Sequence, residues 1–238
     1  ELIKLRCLVG KTSVRRILKE EGLDPRPMSD RSGRADFQPW DVFVKLHLNT
    51  LVACDFFCKN MWTLRGKRQA YALIFMHVGS RRVWVSRAAY HPNGEWVLQH
   101  ARNVLMWLEE QGLEATYLIH DRDTKFTATF DQLLRAASVR VVKSPVMAPN
   151  DNAYAESWIA TVKRECLDHF ACFSLGHVDH LVQTLVGYYN RRRPHQGLGN
   201  RVLSQPVTPR LKFAQNDEPI GCRSELGGLL KSYYHRAA

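Results

Sequence analysis

The sequence predicts an α/β fold: a mixed five-stranded sheet flanked by helices, with a short N-terminal helical segment and an irregular C-terminal tail. Three observations carry that prediction. LVACDFF (51–57), QAYALIFMHVG (69–79) and RRVWVSRAAY (81–90) are β-branched and aromatic runs divided by short polar breaks, the pattern of an antiparallel meander. ATYLIHD (115–121) and VRVVKS (139–144) add two strands, each preceded by a stretch of helical period. A meander followed by alternating helices and strands implies a mixed sheet with helices packed on its faces.

In chain order, KTSVRRILKEEG (11–22) reads as a short amphipathic helix, with Thr12 or Ser13 as its cap, Val14, Ile17 and Leu18 as its apolar stripe, and Gly22 at its end. DPRPMSDRSGRADFQP (24–39), rich in Pro, Ser and Arg, reads as a linker. A second helix is expected over about 39–49. HPNGEWVLQHARNVLMWLEEQG (91–112) spaces Val97, Leu98, Ala101, Val104, Leu105 and Leu108 as a helix does. Further helices are expected near 128–137 and 176–192, and another beyond the loop PVMAPNDN (145–152). After residue 198 the chain is broken by prolines and ends in GGLLKSYYHRAA, a short hairpin or a tail. No internal repeat is visible.

The 238 residues suffice for one large domain or one domain with small appendages. Lys and Arg number 34 against 23 Asp and Glu, a formal charge of +11 that favours a polyanionic partner. A basic scaffold that binds no nucleic acid is the plain alternative. No window approaches the roughly 18 uninterrupted apolar residues of a membrane span. The chain begins ELIKLRC, with neither a methionine nor a signal peptide, as a fragment of a longer protein would. Its six cysteines form no dense framework and are expected to be reduced thiols in a cytosolic protein. Cys166, His169 and Cys172 recur every three residues, but a helix edge explains that spacing, and zinc is rejected there.

Three acids stand out. Asp55 lies within an apolar run, where a carboxylate is costly to bury unless it is paired or bound to metal. Asp121 ends the strand YLIHD, and Glu156 opens a helix that later carries Lys163 and Arg164. Taken singly, each has a bland reading. Asp55 can be a hydrogen-bonded structural acid, Asp121 competes with Asp123 as a loop cap, and Glu156 with its trailing cations complements the helix dipole. Together they point further, because the first strand and the strand after the first helix are expected neighbours. The late helix can then set Glu156 beside both. Converging carboxylates repel unless cations neutralise them. Two Mg²⁺ ions about 3.5–4 Å apart can clamp the attacking and leaving oxygens of a phosphoryl displacement. A basic chain would supply the affinity for nucleic-acid phosphates.

An aspartate in the first strand, a second in DRDTKF and a glutamate 35 positions later resemble the DDE catalytic core of integrases and transposases. NAYAESWIATVKRECLDH (152–169) and YYNRRRPHQGLG (188–199) are similar to the glutamate helix and closing segment of insertion-sequence transposases with a retroviral-integrase-type core. The resemblance covers about 37–200. It implies an RNase H-like fold, two Mg²⁺ or Mn²⁺ ions held by Asp55, Asp121 and Glu156, and cleavage followed by strand transfer of DNA ends. It also implies element ends and target DNA as partners, a homo-oligomer assembled on DNA, and a bacterial, nucleoid-associated place in the cytoplasm. Lys163 shares the face of Glu156 through the steps Glu156, Ala160, Lys163, and is expected near bound DNA with Arg164. Arg191, Arg192 and Arg193 suit a helix C-terminus and equally a phosphate patch.

The resulting organisation is a partial helix-turn-helix segment with linker (1–36), an integrase-type core (37–200) and a C-terminal tail (201–238). SVRRILKEEGL in the first part resembles the last helix of a DNA-reading module. The rivals are a nuclease of the same fold that does not join ends, and an inactive DNA-binding remnant of a mobile element. Asn150 and Asn152 read as turn formers and helix caps, His120 as a packed strand residue or a water-orienting one, and Pro194 and His195 as a turn away from the last helix.

Overall fold

A computed structural model describes residues 11–21, 40–64, 66–143, 152–204 and 220–235. The expected linker, most of the loop before the glutamate helix, Asn150 and residues 205–219 and 236–238 of the tail lie outside the described residues. The chain divides into two compact units, 1–39 and 40–238. The first contains helix α1 (Lys11–Glu20), which takes in the expected cap residues Thr12 and Ser13 and carries an Arg16–Glu20 ion pair at i,i+4.

The second unit runs α2 (Trp40–His47), β1 (Leu51–Thr63), β2 (Gly66–His77), β3 (Val83–Val85), α3 (Gly94–Glu110), β4 (Tyr117–His120), α4 (Ala128–Ala136), β5 (Arg140–Lys143), α5 (Ala153–Glu165), α6 (Leu175–Arg191) and the hairpin β6 (Ile220–Glu225) and β7 (Leu230–His235). Five strands form one sheet in the order β3-β2-β1-β4-β5. The three-strand meander is antiparallel, whereas β1 pairs with β4, and β4 with β5, in parallel. The mixed sheet is therefore the predicted one, with β1 and β4 adjacent. Of the two forms left open for the tail, residues 220–235 adopt the hairpin.

Alternation along β1 sorts the core into two faces. Val52 and Cys54 pack with Leu73 and Phe75 against Val97, Ala101, Val104 and Leu108 of α3 and Phe130 and Leu134 of α4. Phe57 and Met61, on the opposite face, pack with Ile74 and Met76 against Trp158, Ile159 and Val162 of α5 and Val178, Leu181 and Leu185 of α6. A smaller cluster joins Val44 of α2, Leu51, Ala53, Ile119 and Ala155. Cys166 and Cys172 are buried in the α5–α6 core, as small apolar groups.

Two expectations need correction. The third strand was expected over 81–90, but regular pairing stops at Val85. There the Ser86 hydroxyl accepts the Leu73 N–H at 2.9 Å, taking the place of a ladder carbonyl, and pairing resumes only at the Tyr71–Ala89 bridge. Asn152 precedes α5, yet its side chain makes no capping hydrogen bond. Its amide reaches the sheet instead.

Candidate active site

Asp55 follows Ala53 and precedes Phe57 on one face of β1. Ala53 packs with Ala155, and Phe57 meets the Trp158 ring edge-on at 6.1 Å, so Asp55 lies half-buried on the face that α5 covers. Its Oδ1 accepts its neighbour's Phe56 N–H at 2.7 Å. On β4, Ile119 pairs with Ala53. Asp121 stands two residues beyond Ile119, as Asp55 stands two beyond Ala53, at the carboxyl end of the parallel pair where α/β sheets open. Glu156 is exposed in the first turn of α5, next to the buried Ala155. The Asn152 amide donates to the Cys54 carbonyl at 2.9 Å and fastens that turn to β1 one residue before Asp55.

The electrostatics report the convergence. Burial pushes the Asp55 carboxyl up to about 6; the Phe56 N–H opposes this, and the charges of Asp121, Glu156 and Asp123 add to it. Burial also drives the Cys54 thiol well up, with help from Asp55 and Asp121. Asp123 is engaged elsewhere: its Oδ1 accepts the Lys125 N–H at 2.9 Å and its Oδ2 pairs with Lys125 Nζ at 2.6 Å. Burial pushes Asp123 up, but the Lys125 contacts outweigh it and hold the carboxyl low. Asp121 Oδ1 accepts the Asp123 N–H at 3.1 Å, closing the turn that presents it.

Among the described residues, no three His, Cys, Asp or Glu side chains stand close enough to hold an ion as they are. Like charges on Asp55, Asp121 and Glu156 oppose closer approach without a counter-charge. The donor set is nonetheless suited to a hard divalent cation: it offers carboxylate oxygens, and one of them is half-buried with its charged form disfavoured.

Lys163 and Arg164 are exposed on α5, and Lys163 lies on the Glu156 side. The three-arginine run does not form one open patch. Arg192 pairs with Glu225 of the hairpin at 2.5 Å, and Arg193 forks onto Glu165 at 2.6 and 3.1 Å, while Arg191 is exposed. His120 is packed, lying 4.1 Å from the Phe126 ring centre. Its Nδ1–H donates to the Asp121 carbonyl, its Nε2 lies 3.9 Å from Asp131, and Asp131 pairs with Lys143 at 3.0 Å. Burial holds the imidazole pKa low. Sequence reading missed the Asn152–Cys54 tie and the Asp131–Lys143 pair. A buried Asp on an amphipathic helix was the signal available for the second.

Residues 137–202 match the integrase core domain family. No curated protein matches the chain. Among solved structures, a chain of the simian T-cell lymphotropic virus intasome, in complex with PP2A regulatory subunit B56 gamma, is similar over 76% of this chain at 9% identity and a TM-score of 0.50. This chain covers 65% of that one, less than two thirds of its length. The catalytic domain of Mos1 mariner transposase is similar over 62% of this chain and 77% of its own, at 13% identity and a TM-score of 0.51. The match over 137–202 and the shared fold agree: that stretch is similar to an integrase core domain, and the α/β sheet with its flanking helices has the fold of those two solved structures.

Proposed function

We propose that this core is a metal-dependent polynucleotidyl transferase that cuts DNA ends and transfers them to a target, as a transposase or integrase. One observation carries the reading. Asp55 of β1, Asp121 just past the parallel strand β4 and Glu156 of α5 converge, the last two acting electrostatically on the half-buried Asp55 carboxyl. Such an arrangement stores repulsion that a bound cation relieves.

Asp55, Asp121 and Glu156 would together hold two Mg²⁺ or Mn²⁺ ions, which would supply Lewis-acid activation of a water or a 3′-hydroxyl and charge neutralisation at phosphorus. The protein's own part is positioning. The Asn152–Cys54 bond sets the α5 turn against β1, and the Asp121 turn is braced by Asp123 and by His120. Lys163 and Arg164 would hold backbone phosphates beside Glu156 without reading sequence. Arg191 fits the same role, whereas Arg192 and Arg193 are better assigned to structure.

The reading takes 37–200 as the catalytic core, 1–36 as part of a DNA-reading module and 201–238 as an appendage. It implies assembly as a homo-oligomer on DNA in a bacterial cytoplasm, associated with the nucleoid. Among the described residues no helix is long and apolar enough to cross a membrane.

The test is nicking and joining of supercoiled plasmid in Mg²⁺ or Mn²⁺, wild type beside Glu156→Gln. Metal-dependent nicking with joined product, lost in the variant, supports the proposal. Nicking without joining favours a nuclease of this fold. DNA binding with no cleavage in either protein favours an inactive remnant.

A further inference from the structure

On the far side of α5 from Glu156 lies a hollow of about 620 Å³, between α5, the end of α6, the β2–β3 turn and the segment 194–200. The volume is within the range of about 300–1,000 Å³ typical of ligand sites. Its wall is cationic and rich in donors. Arg81 and Arg193 line it together with the hydroxyl side chains of Tyr154, Ser157 and Thr161. Both guanidinium charges act on Tyr189 and on His195, so the two arginines converge on one place.

The two arginines differ. Glu165 forks onto Arg193 and balances its charge. None of the ion pairs among the described residues takes in Arg81. Arg81 also has a left-handed backbone, φ +60, which a residue with a Cβ seldom adopts. Its guanidinium lies so close over Gly197 that a Cβ there would stand 2.8 Å from both terminal nitrogens. The absence of a Cβ at Gly197 leaves room for this unbalanced cation at the wall of the hollow. Trp158, also lining it, has a buried Nε1–H with no partner among the described residues.

The helix relates this hollow to the acids. At about 3.6 residues per turn, Glu156 and Lys163 fall on one flank of α5, Ser157 and Arg164 on its crest, and Thr161 and Tyr154 on the opposite flank. A helix is about 10–12 Å wide, comparable with the DNA major groove of about 12 Å. One duplex lying over α5 can therefore place phosphates on both flanks.

We infer that this hollow is a docking site for a DNA backbone phosphate, with Arg81 as its principal cation and the Ser157 hydroxyl as a neutral donor, the Thr161 hydroxyl being spent on the Ser157 carbonyl at 3.0 Å. The inference rests on the reading that the chain acts on DNA. It adds a second anchor, which sets the angle at which DNA crosses α5.

The experiment is binding of a labelled duplex of arbitrary sequence by fluorescence anisotropy across a salt series, without divalent metal. It compares wild type, Arg81→Gln, Ser157→Asp and, as a control, Arg135→Gln on the exposed side of α4. Loss of one phosphate contact lowers the slope of log K against log salt by about one. Arg81→Gln is expected to show that loss with an unchanged melting temperature. Ser157→Asp, an exposed position that tolerates the change, is expected to weaken binding, and Arg135→Gln to match wild type. Wild-type binding with unchanged slope and affinity in both hollow variants overturns the inference and leaves the proposed function standing. Failure of the wild type to bind DNA removes both. If inorganic phosphate raises the melting temperature of wild type but not of Arg81→Gln, while DNA binding is equal in the two, the hollow holds a small anion and the DNA assignment is wrong.

Discussion

The amide of Asn152 donates a 2.9 Å hydrogen bond to the carbonyl of Cys54. It thereby joins the residue before α5 to the residue before Asp55, and the candidate site depends on that tie more than on helix capping. Both groups are buried, so deleting the amide leaves a carbonyl without a partner. Asn152→Ala is expected to destabilise the protein by about 1–3 kcal/mol, read by urea denaturation. Nicking activity is expected to fall further than the loss of folded protein explains, because the α5 turn would no longer be held against β1.

Asp55 ties stability to pH. Its carboxyl has a pKa of about 6 in the folded chain against an ordinary 3.8, so the fold favours the protonated form. The group's destabilising effect is fully present above about pH 6 and is relieved as pH falls from there towards 3.8. His77, His120 and His195 act in the opposite sense, since burial lowers all three and acidification forces charge on them. The difference between wild type and Asp55→Asn isolates the carboxyl. Without metal the variant is expected to melt higher at pH 7.5, with the gap closing near pH 4. Mn²⁺ at pH 7.5 is expected to raise the melting temperature of the wild type and not of Asp55→Asn.

Trp158 anchors α5 on the sheet, with its ring edge-on to Phe57 and to Tyr189 at 6.1 Å each. Trp158→Ala is expected to cost about 3–5 kcal/mol, measured as a lower urea midpoint. A milder loss would mean that α5 is held chiefly by its ends.

The Arg193–Glu165 fork is only partly exposed and joins the end of α6 to the end of α5. A double-mutant cycle with Arg193→Ala and Glu165→Ala is expected to return a coupling of about 1 kcal/mol. Coupling near zero would return Arg193 to the pool of cations available for DNA.

Much of this architecture was legible in the sequence because it rests on local periodicity. The continuous apolar run of 51–57, buried on both faces of the sheet, and the apolar spacing of 91–112 set strand and helix. The neighbourhood of β1 and β4 followed from the order of elements; Asp55 and Asp121 each stand two residues beyond the paired Ala53 and Ile119. Less legible were features that depend on a single side chain reaching across the chain. Ser86 cuts β3 short by accepting a ladder hydrogen bond, and Asn152 forgoes its cap for the Cys54 carbonyl; no pattern in the neighbouring residues announces either. The arginine run was ambiguous for a similar reason. Glu165 and Glu225, remote in sequence from Arg193 and Arg192, decide where those charges go.

The central claim is that Asp55, Asp121 and Glu156 form one metal-holding site and that Asp123 does not belong to it. The most direct measurement is the metal-dependent plasmid nicking rate of Asp55→Asn, Asp121→Asn, Glu156→Gln and Asp123→Asn beside wild type. Loss of one metal ligand removes several kcal/mol of charge stabilisation, about 100-fold or more in rate. The first three variants are expected to fall by that much, and Asp123→Asn to keep most of its activity because its carboxylate serves Lys125. If Asp123→Asn loses activity as completely as the other three, or if any of those three keeps the wild-type rate, the site as assigned is wrong.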